Sequence, residues 1–307
     1  MRSTRPNPKA TQGRRRAFGQ HFLKDQGIAE RIAQAALELA RTRESRGLLE
    51  IGPGRGAITD PLLARLSKAT QDSPALERLL LCEKDRELAR RWSERETEST
   101  KGLQIRVRDA DFLALGAENW LDITPLTVVS NLPYSSGTAI FTKLGRYPRK
   151  ITGMVLMFQS EVAGRLRAER GTKAWGSLSL WTQNQWNVRK LLAVPPGAFS
   201  PPPQVQSEVV VIEPLNAPRI PGTESPSGEE AWNFLLKSCF QHRRKMLRAG
   251  LPKSGTLRNA LELSGVDDTK RAEALDWDEW GRLYRALLET GREAATVRRA
   301  ASGGDSN

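Results

Sequence analysis

The chain has 307 residues, a formal net charge of +13 and a pI near 10.2. That length suits one large α/β domain with a smaller second one, and the charge points to a polyanionic partner. No apolar run is long enough to span a bilayer, and two cysteines, Cys82 and Cys239, form no disulfide or metal-binding pattern. A globular cytoplasmic protein without a metal is expected, with both thiols inert in the core.

Residues 1–17 hold six basic residues and no acid. They are expected to form a disordered arm that touches RNA phosphates. An organelle transit peptide is the competing reading, which Pro6 and Pro8 disfavour because they break an amphipathic helix. The stretch Phe18-Gly19-Gln20-His21-Phe22-Leu23 follows and is placed to close over a cofactor. A lone His such as His21 reads first as structural. A helix is predicted from Asp25, its cap, with Ile28, Ile32, Ala35, Ala36 and Leu39 at helical spacing.

Leu48 to Ile51 is a short apolar run that stops at Gly52-Pro53-Gly54-Arg55-Gly56, as a buried parallel strand does. Gly52 and Gly54 allow backbone angles closed to other residues and let a ligand lie against the main chain. The helix after them is predicted from near Ala57, with Ile58, Leu62, Leu63 and Leu66 on one face. Such a loop serves NAD, FAD or S-adenosylmethionine. Pro53 between the glycines, with Glu50 two residues before them, resembles the S-adenosylmethionine version.

Leu79 to Glu83 reads as the second strand, its terminal acid placed for a ribose hydroxyl pair. Gln71 to Pro74 reads as a loop insertion, and residues 85–101 as a charged helix. Gln104 to Val107 reads as the third strand. Beyond it Asp109 is the preferred acceptor for the cofactor's adenine amine, with Asp111 as the competing residue.

Leu126 to Ser130 is a fourth buried strand and ends in Asn131-Leu132-Pro133-Tyr134. This resembles the motif of methyltransferases that modify exocyclic amines of bases. Adenine N6 is a poor nucleophile because its lone pair is delocalised into the ring. Acceptors at its two protons draw the nitrogen toward a tetrahedral shape. The Asn131 side-chain oxygen is one, and a backbone carbonyl near Leu132 and Pro133 is the other. Tyr134 offers a flat face to an extruded base.

A helix with Ile140, Phe141 and Leu144 follows, then an apolar strand from Ile151 to Phe158. Gln159 to Arg170 reads as a helix exposing Arg165, Arg167 and Arg170, and a helix rich in Trp and Gln comes after Ala174 to Ser179. Val188 to Val194 and Val205 to Ile212 read as a final pair of strands. The stiff proline loop between them either presents Phe199 as a second wall of the base pocket or packs it away.

Residues 215–228 are rich in Pro, Gly and Ser and mark a linker. A helical domain over 229–291 is expected beyond it, with Trp232, Leu235, Leu236, Cys239 and Phe240 on one face. Within it Arg243, Arg244, Lys245 and Arg248 form a dense basic cluster suited to phosphates. Residues 292–307 are expected to be a disordered tail.

Five motifs in order, Gly-Gln-His-Phe-Leu, Glu-Ile-Gly-Pro-Gly, Asn-Leu-Pro-Tyr, the proline loop and Phe-Gln-His-Arg-Arg-Lys, resemble the KsgA-type ribosomal RNA adenine N6-dimethyltransferases from about Phe18 to Leu251. The resemblance implies a class I methyltransferase fold over 18–214, a seven-stranded, mostly parallel sheet, followed by the helical domain. It implies transfer of methyl groups from S-adenosylmethionine to two adjacent adenines near the 3′ end of small-subunit RNA. The partner is then a pre-ribosomal particle, and the protein a monomer. By position the family's cofactor contacts fall on His21, Leu23, Gly52, Glu83, Asp109 and Asn131. His21 stands where the family often has Asn.

Three rivals share part of this pattern. A large-subunit RNA dimethyltransferase of the antibiotic-resistance type shares the catalytic motifs. A nicotinamide-dependent dehydrogenase shares the glycine loop but gives Asn131 to Tyr134 no purpose. A non-enzymatic assembly or transcription factor on the same fold is the third.

Overall fold

A computed structural model describes residues 21–68, 74–96 and 102–302, with side chains up to residue 291. The basic arm, Phe18 to Gln20, residues 71–73 and the last five residues lie outside these. The described chain divides into two compact units. One runs to Ala163 and takes in Val188–Pro214; the other joins Gly164–Asn187 to the residues from Leu215 onward.

The first unit is built on a sheet whose strands are β2 (Gly47–Ile51), β3 (Arg78–Glu83), β4 (Gln104–Asp109), β5 (Leu126–Asn131), β6 (Ile151–Gln159), β7 (Trp186–Val194) and β9 (Ser207–Pro214). A separate two-stranded ribbon pairs β1 (Phe22–Leu23) with β8 (Phe199–Ser200). The seven strands lie in the order β4-β3-β2-β5-β6-β9-β7. The pairs β2/β3, β3/β4, β2/β5 and β5/β6 are parallel, and β9 runs antiparallel to β6. Every residue of β2 is buried, which is why its sequence reads as an unbroken run rather than an alternation.

Strand order reverses between β2 and β5, and ligands of such sheets bind in the crevice outside the strand ends there. The two ends are Ile51 and Asn131, so the two motifs read from the sequence open onto one crevice.

Helices flank the sheet. α1 (Gln26–Thr42) is capped by Asp25, whose carboxylate accepts from the Ile28 amide at 2.9 Å. Its buried face, Ile32, Ala33, Ala36, Leu37 and Ala40, joins the core formed with Leu48, Leu79, Val129 and Val155. α2 (Thr59–Ser67) starts two residues later than predicted because the glycine loop continues as a turn through Ile58. α3 (Arg86–Ser93) is capped by Asp85, and α4 (Gly137–Leu144) follows the Asn131 motif. α5 (Ser160–Leu166) is shorter than the predicted Gln159–Arg170 helix.

The second unit holds α6 (Ser177–Gln185), α7 (Pro226–Gln241), α8 (Leu247–Gly250), α9 (Thr256–Ser264) and α10 (Trp277–Ser302). The sequence reading placed residues 164–187 in the sheet domain and 215–228 in a linker. Both assignments are corrected by the buried amide of Asn184. It accepts from the Ile220 amide at 2.8 Å and donates to Thr223 Oγ1 at 2.7 Å. The Pro, Gly and Ser of this stretch thus form an ordered surface of the helical unit. Helix α10 runs to Ser302, past residue 292 where the tail is expected to begin.

Candidate active site

The crevice is a cavity of about 490 Å³ at the ends of β2, β3 and β5. Gly52, Gly54 and Gly56 form its floor turn with φ of 69°, 56° and 94°. These are left-handed angles that favour glycine. The Gly52 amide donates to the Cys82 carbonyl at 2.8 Å, which ties the turn to the end of β3. Among the described residues, its chain neighbours aside, no atom lies within 4 Å of where a Gly52 Cβ would stand. The missing side chain therefore opens main chain to the cavity, a cradle that fits a flat, polar ligand such as the nucleoside of S-adenosylmethionine.

Glu83 is buried at the next strand end. Its carboxylate accepts from the Gly54 amide at 2.9 Å and the Asp85 amide at 2.9 Å. Burial pushes its pKa up, opposed by these backbone donors. The Lys84 amide also bonds it, and three backbone donors on two oxygens leave acceptor capacity for hydroxyl groups of a sugar. Trp92 of α3 locks the turn from behind, its indole donating to the Gly54 carbonyl at 3.0 Å.

At the end of β5, the Asn131 amide nitrogen donates to the His21 carbonyl at 3.4 Å. That orientation leaves Oδ1 without a protein donor among the described residues. The Pro133 carbonyl accepts from the amides of Ser136 and Gly137 at 3.1 and 2.8 Å, so it is committed to the start of α4. The Leu132 carbonyl has no such bond among the described residues. Of the two carbonyls it is the one left open to a ligand. Tyr134 is held by its hydroxyl against Ser207 Oγ, and its ring lies 5.5 Å from that of His21. The His21 ring is fixed in turn by Nδ1, 2.8 Å from the Pro201 carbonyl.

Of the residues named from the sequence, His21, Leu23, Gly52, Glu83, Asn131, Leu132, Pro133 and Tyr134 all line this cavity. Two others do not. Phe199 is 1% exposed and packs into the core, because neighbouring strand residues face opposite ways and its neighbour Ser200 takes the cavity side. Asp109 ends the outermost parallel strand and faces solvent, while Ala110, Asp111, Phe112 and Leu113 reach the cavity. Asp111 itself is drawn to Lys84, 2.7 Å away, whose bond holds its carboxyl below the usual range.

The basic cluster also differs from expectation. Residues 242–245 form a turn after α7 rather than a helix face. Arg243 is half-buried and donates to Glu273 at 2.8 Å and to the Lys173 carbonyl at 2.9 Å, so its charge is used internally. Arg244, Lys245 and Arg248 are exposed. Both thiols are buried, and burial pushes Cys82 and Cys239 up to about 12.

Phe22 and Glu50 also line the cavity, though the sequence assigns neither a role of its own. Phe22 packs beside Gly54 and carries the Arg55 guanidinium 4.6 Å above its ring. Glu50 lies 1% exposed under the glycine turn and accepts from Thr59 Oγ1 at 2.7 Å. Glu50 was visible as part of the motif but carried no role there; Phe22 gave no signal beyond its place beside His21.

A reversed parallel sheet with this glycine turn, a buried acid at the next strand end and Asn-Leu-Pro-Tyr on the same cavity defines a class I methyltransferase. Known proteins place it further. The family described as ribosomal RNA adenine dimethylase matches residues 11–288. The chain is 36% identical to ribosomal RNA small subunit methyltransferase A of Syntrophotalea carbinolica, over 89% of this chain and 96% of that one. It is also 36% identical to the protein of that name from Bordetella petrii, over 90% and 96%. A dimethyladenosine transferase from Plasmodium falciparum shares the fold, with a TM-score of 0.67 and 23% identity over 88% of this chain and 98% of that one. The chain belongs to the ribosomal RNA adenine dimethylase family.

Proposed function

We propose that this protein transfers methyl groups from S-adenosylmethionine to the N6 of two adjacent adenines near the 3′ end of small-subunit ribosomal RNA. The observation that carries this reading is a pair of acceptors unengaged among the described residues, Asn131 Oδ1 and the Leu132 carbonyl, beside a cavity floored by the glycine turn. The small-subunit relatives, at 36% identity over nearly the whole chain, favour that RNA over the large-subunit one.

S-adenosylmethionine supplies an electrophilic methyl group. The protein's own contribution is alignment and charge. The Gly52 to Gly54 backbone and Glu83 would hold the donor's sugar, and the turn from Ala110 to Leu113 would wall its purine. Tyr134 stacks the target base, whose extrusion costs a few kcal/mol that a loop or single-stranded site reduces. Asn131 Oδ1 and the Leu132 carbonyl accept the two N6 protons and fit the positive charge that builds on nitrogen during transfer. A second transfer needs only one N6 proton held, so either acceptor is left to tolerate the first methyl group.

Arg244, Lys245 and Arg248 anchor RNA phosphates without reading sequence. The target is presented in a pre-ribosomal particle, the protein acts as a monomer, and the site of action is the cytoplasm. No helix among the described residues is long and apolar enough to cross a membrane. Transfer of labelled methyl groups from S-adenosylmethionine to purified undermethylated small subunits, beside large subunits as control, tests the reading. Label in the large-subunit RNA alone would assign the protein to the antibiotic-resistance type.

A further inference from the structure

The turn that walls the cavity beyond β4 is pinned at both ends by lysines. At its start Asp111 accepts from the Leu113 amide at 3.0 Å and from Lys84 at 2.7 Å. At its end the ammonium of Lys143 donates to the carbonyls of Phe112 at 2.7 Å and Leu113 at 3.1 Å, and to that of Leu115. The same ammonium lies 5.0 Å above the Phe112 ring. Three carbonyls converging on one cation, with an aromatic face beneath it, use all three ammonium protons.

Lys143 belongs to α4, the helix that begins directly after Asn131 to Tyr134 and sends Ile140 into the cavity. The helix that follows the target-base motif thus grips the donor-side turn near its own end. Lys143 does not itself line the cavity.

We infer that Lys143 is a positioning residue for the methyl donor: it holds the Ala110 to Leu113 turn at the distance from Asn131 that the donor's adenine requires. This rests on the proposed use of S-adenosylmethionine in the cavity. Without the ammonium, three carbonyls would turn to water and the turn would widen, while Asn131 and the Leu132 carbonyl would stay in place. The effect therefore falls on donor binding and not on transfer once the donor is bound.

The test compares wild type with Lys143→Met, which keeps the aliphatic stem, Lys143→Gln, which keeps one donor group, and Lys143→Arg, which keeps the charge. Dissociation constants for S-adenosylmethionine are measured by calorimetry, and kcat and KM on undermethylated small subunits. Lys143→Met is expected to raise the donor Kd and KM by roughly 5- to 30-fold, the equivalent of one or two lost kcal/mol, with kcat at saturating donor nearly unchanged. Lys143→Gln should fall between, and Lys143→Arg should recover most of the affinity. Wild-type donor affinity in the Met or Gln variant would overturn the inference, as would a lowered kcat with KM unchanged. If wild type itself failed to bind S-adenosylmethionine, the proposed function would fall rather than the role of Lys143 within it.

Discussion

Glu83 and Gly54 are joined by a 2.9 Å hydrogen bond from the glycine amide to the carboxylate, so the acid at the end of one strand shapes the loop at the end of its neighbour. The carboxylate fixes the turn, and under the proposed function it also faces the donor. Glu83→Ala removes both and is expected to raise the Kd for S-adenosylmethionine by roughly tenfold or more, since bonds to charged groups are the strong ones. Calorimetry on the purified variant measures this. Unchanged affinity would place the donor's sugar elsewhere.

Glu50 gives the protein a pH signature. Burial pushes its pKa from 4.5 up to about 8; the Thr59 bond opposes this, and the charges of Glu83 and Asp60 reinforce it. The folded state therefore binds a proton that the unfolded chain releases between those values. Stability contributed by the neutral carboxyl is present below pH 4.5 and is lost as pH rises toward about 8, where the loss levels off. Its full size is on the order of 5 kcal/mol at most. Thermal unfolding of Glu50→Gln without donor should match wild type near about pH 5 and exceed it increasingly toward about pH 9. A constant difference in Tm across that range would mean that Glu50 does not titrate in the window.

Arg243 and its neighbours separate stability from RNA binding. Arg243→Ala breaks the Glu273 and Lys173 contacts and should lower Tm by about 2–4 °C. Neutralising Arg244 and Lys245 should leave Tm alone and flatten the logarithmic salt dependence of RNA affinity by roughly 0.7–0.9 per residue. An unchanged slope in a salt titration would remove this turn from the RNA interface.

The features legible in the sequence were those that local chemistry dictates. Leu48 to Ile51 and Leu126 to Ser130 could only be buried strands, and the turns that end them carry the glycines and Asn131 that line the cavity. Features set by tertiary neighbours were not legible. Phe199 and Ser200 alternate about one short ribbon, and only pairing with Phe22 and Leu23 decides which of them faces inward. Asp109 and Asp111 differ by the position of β4 at the sheet edge, which no local pattern announces. The Pro, Gly and Ser after Leu215 have the composition of a linker, yet Asn184, more than thirty residues away, orders them. Lys143 reads as an ordinary surface residue until the turn it grips is seen.

Asn131 is where the proposed chemistry is most exposed to test. Undermethylated small subunits are incubated with S-adenosylmethionine and wild-type or Asn131→Ala protein, and N6,N6-dimethyladenosine in the RNA is quantified by mass spectrometry while donor affinity is measured in parallel. Wild type should form the dimethylated nucleoside, and the variant should be slower by roughly 100- to 1000-fold with donor affinity changed far less. Dimethyladenosine forming at the wild-type rate without the Asn131 amide, or not forming at all with wild-type protein, would contradict the mechanism.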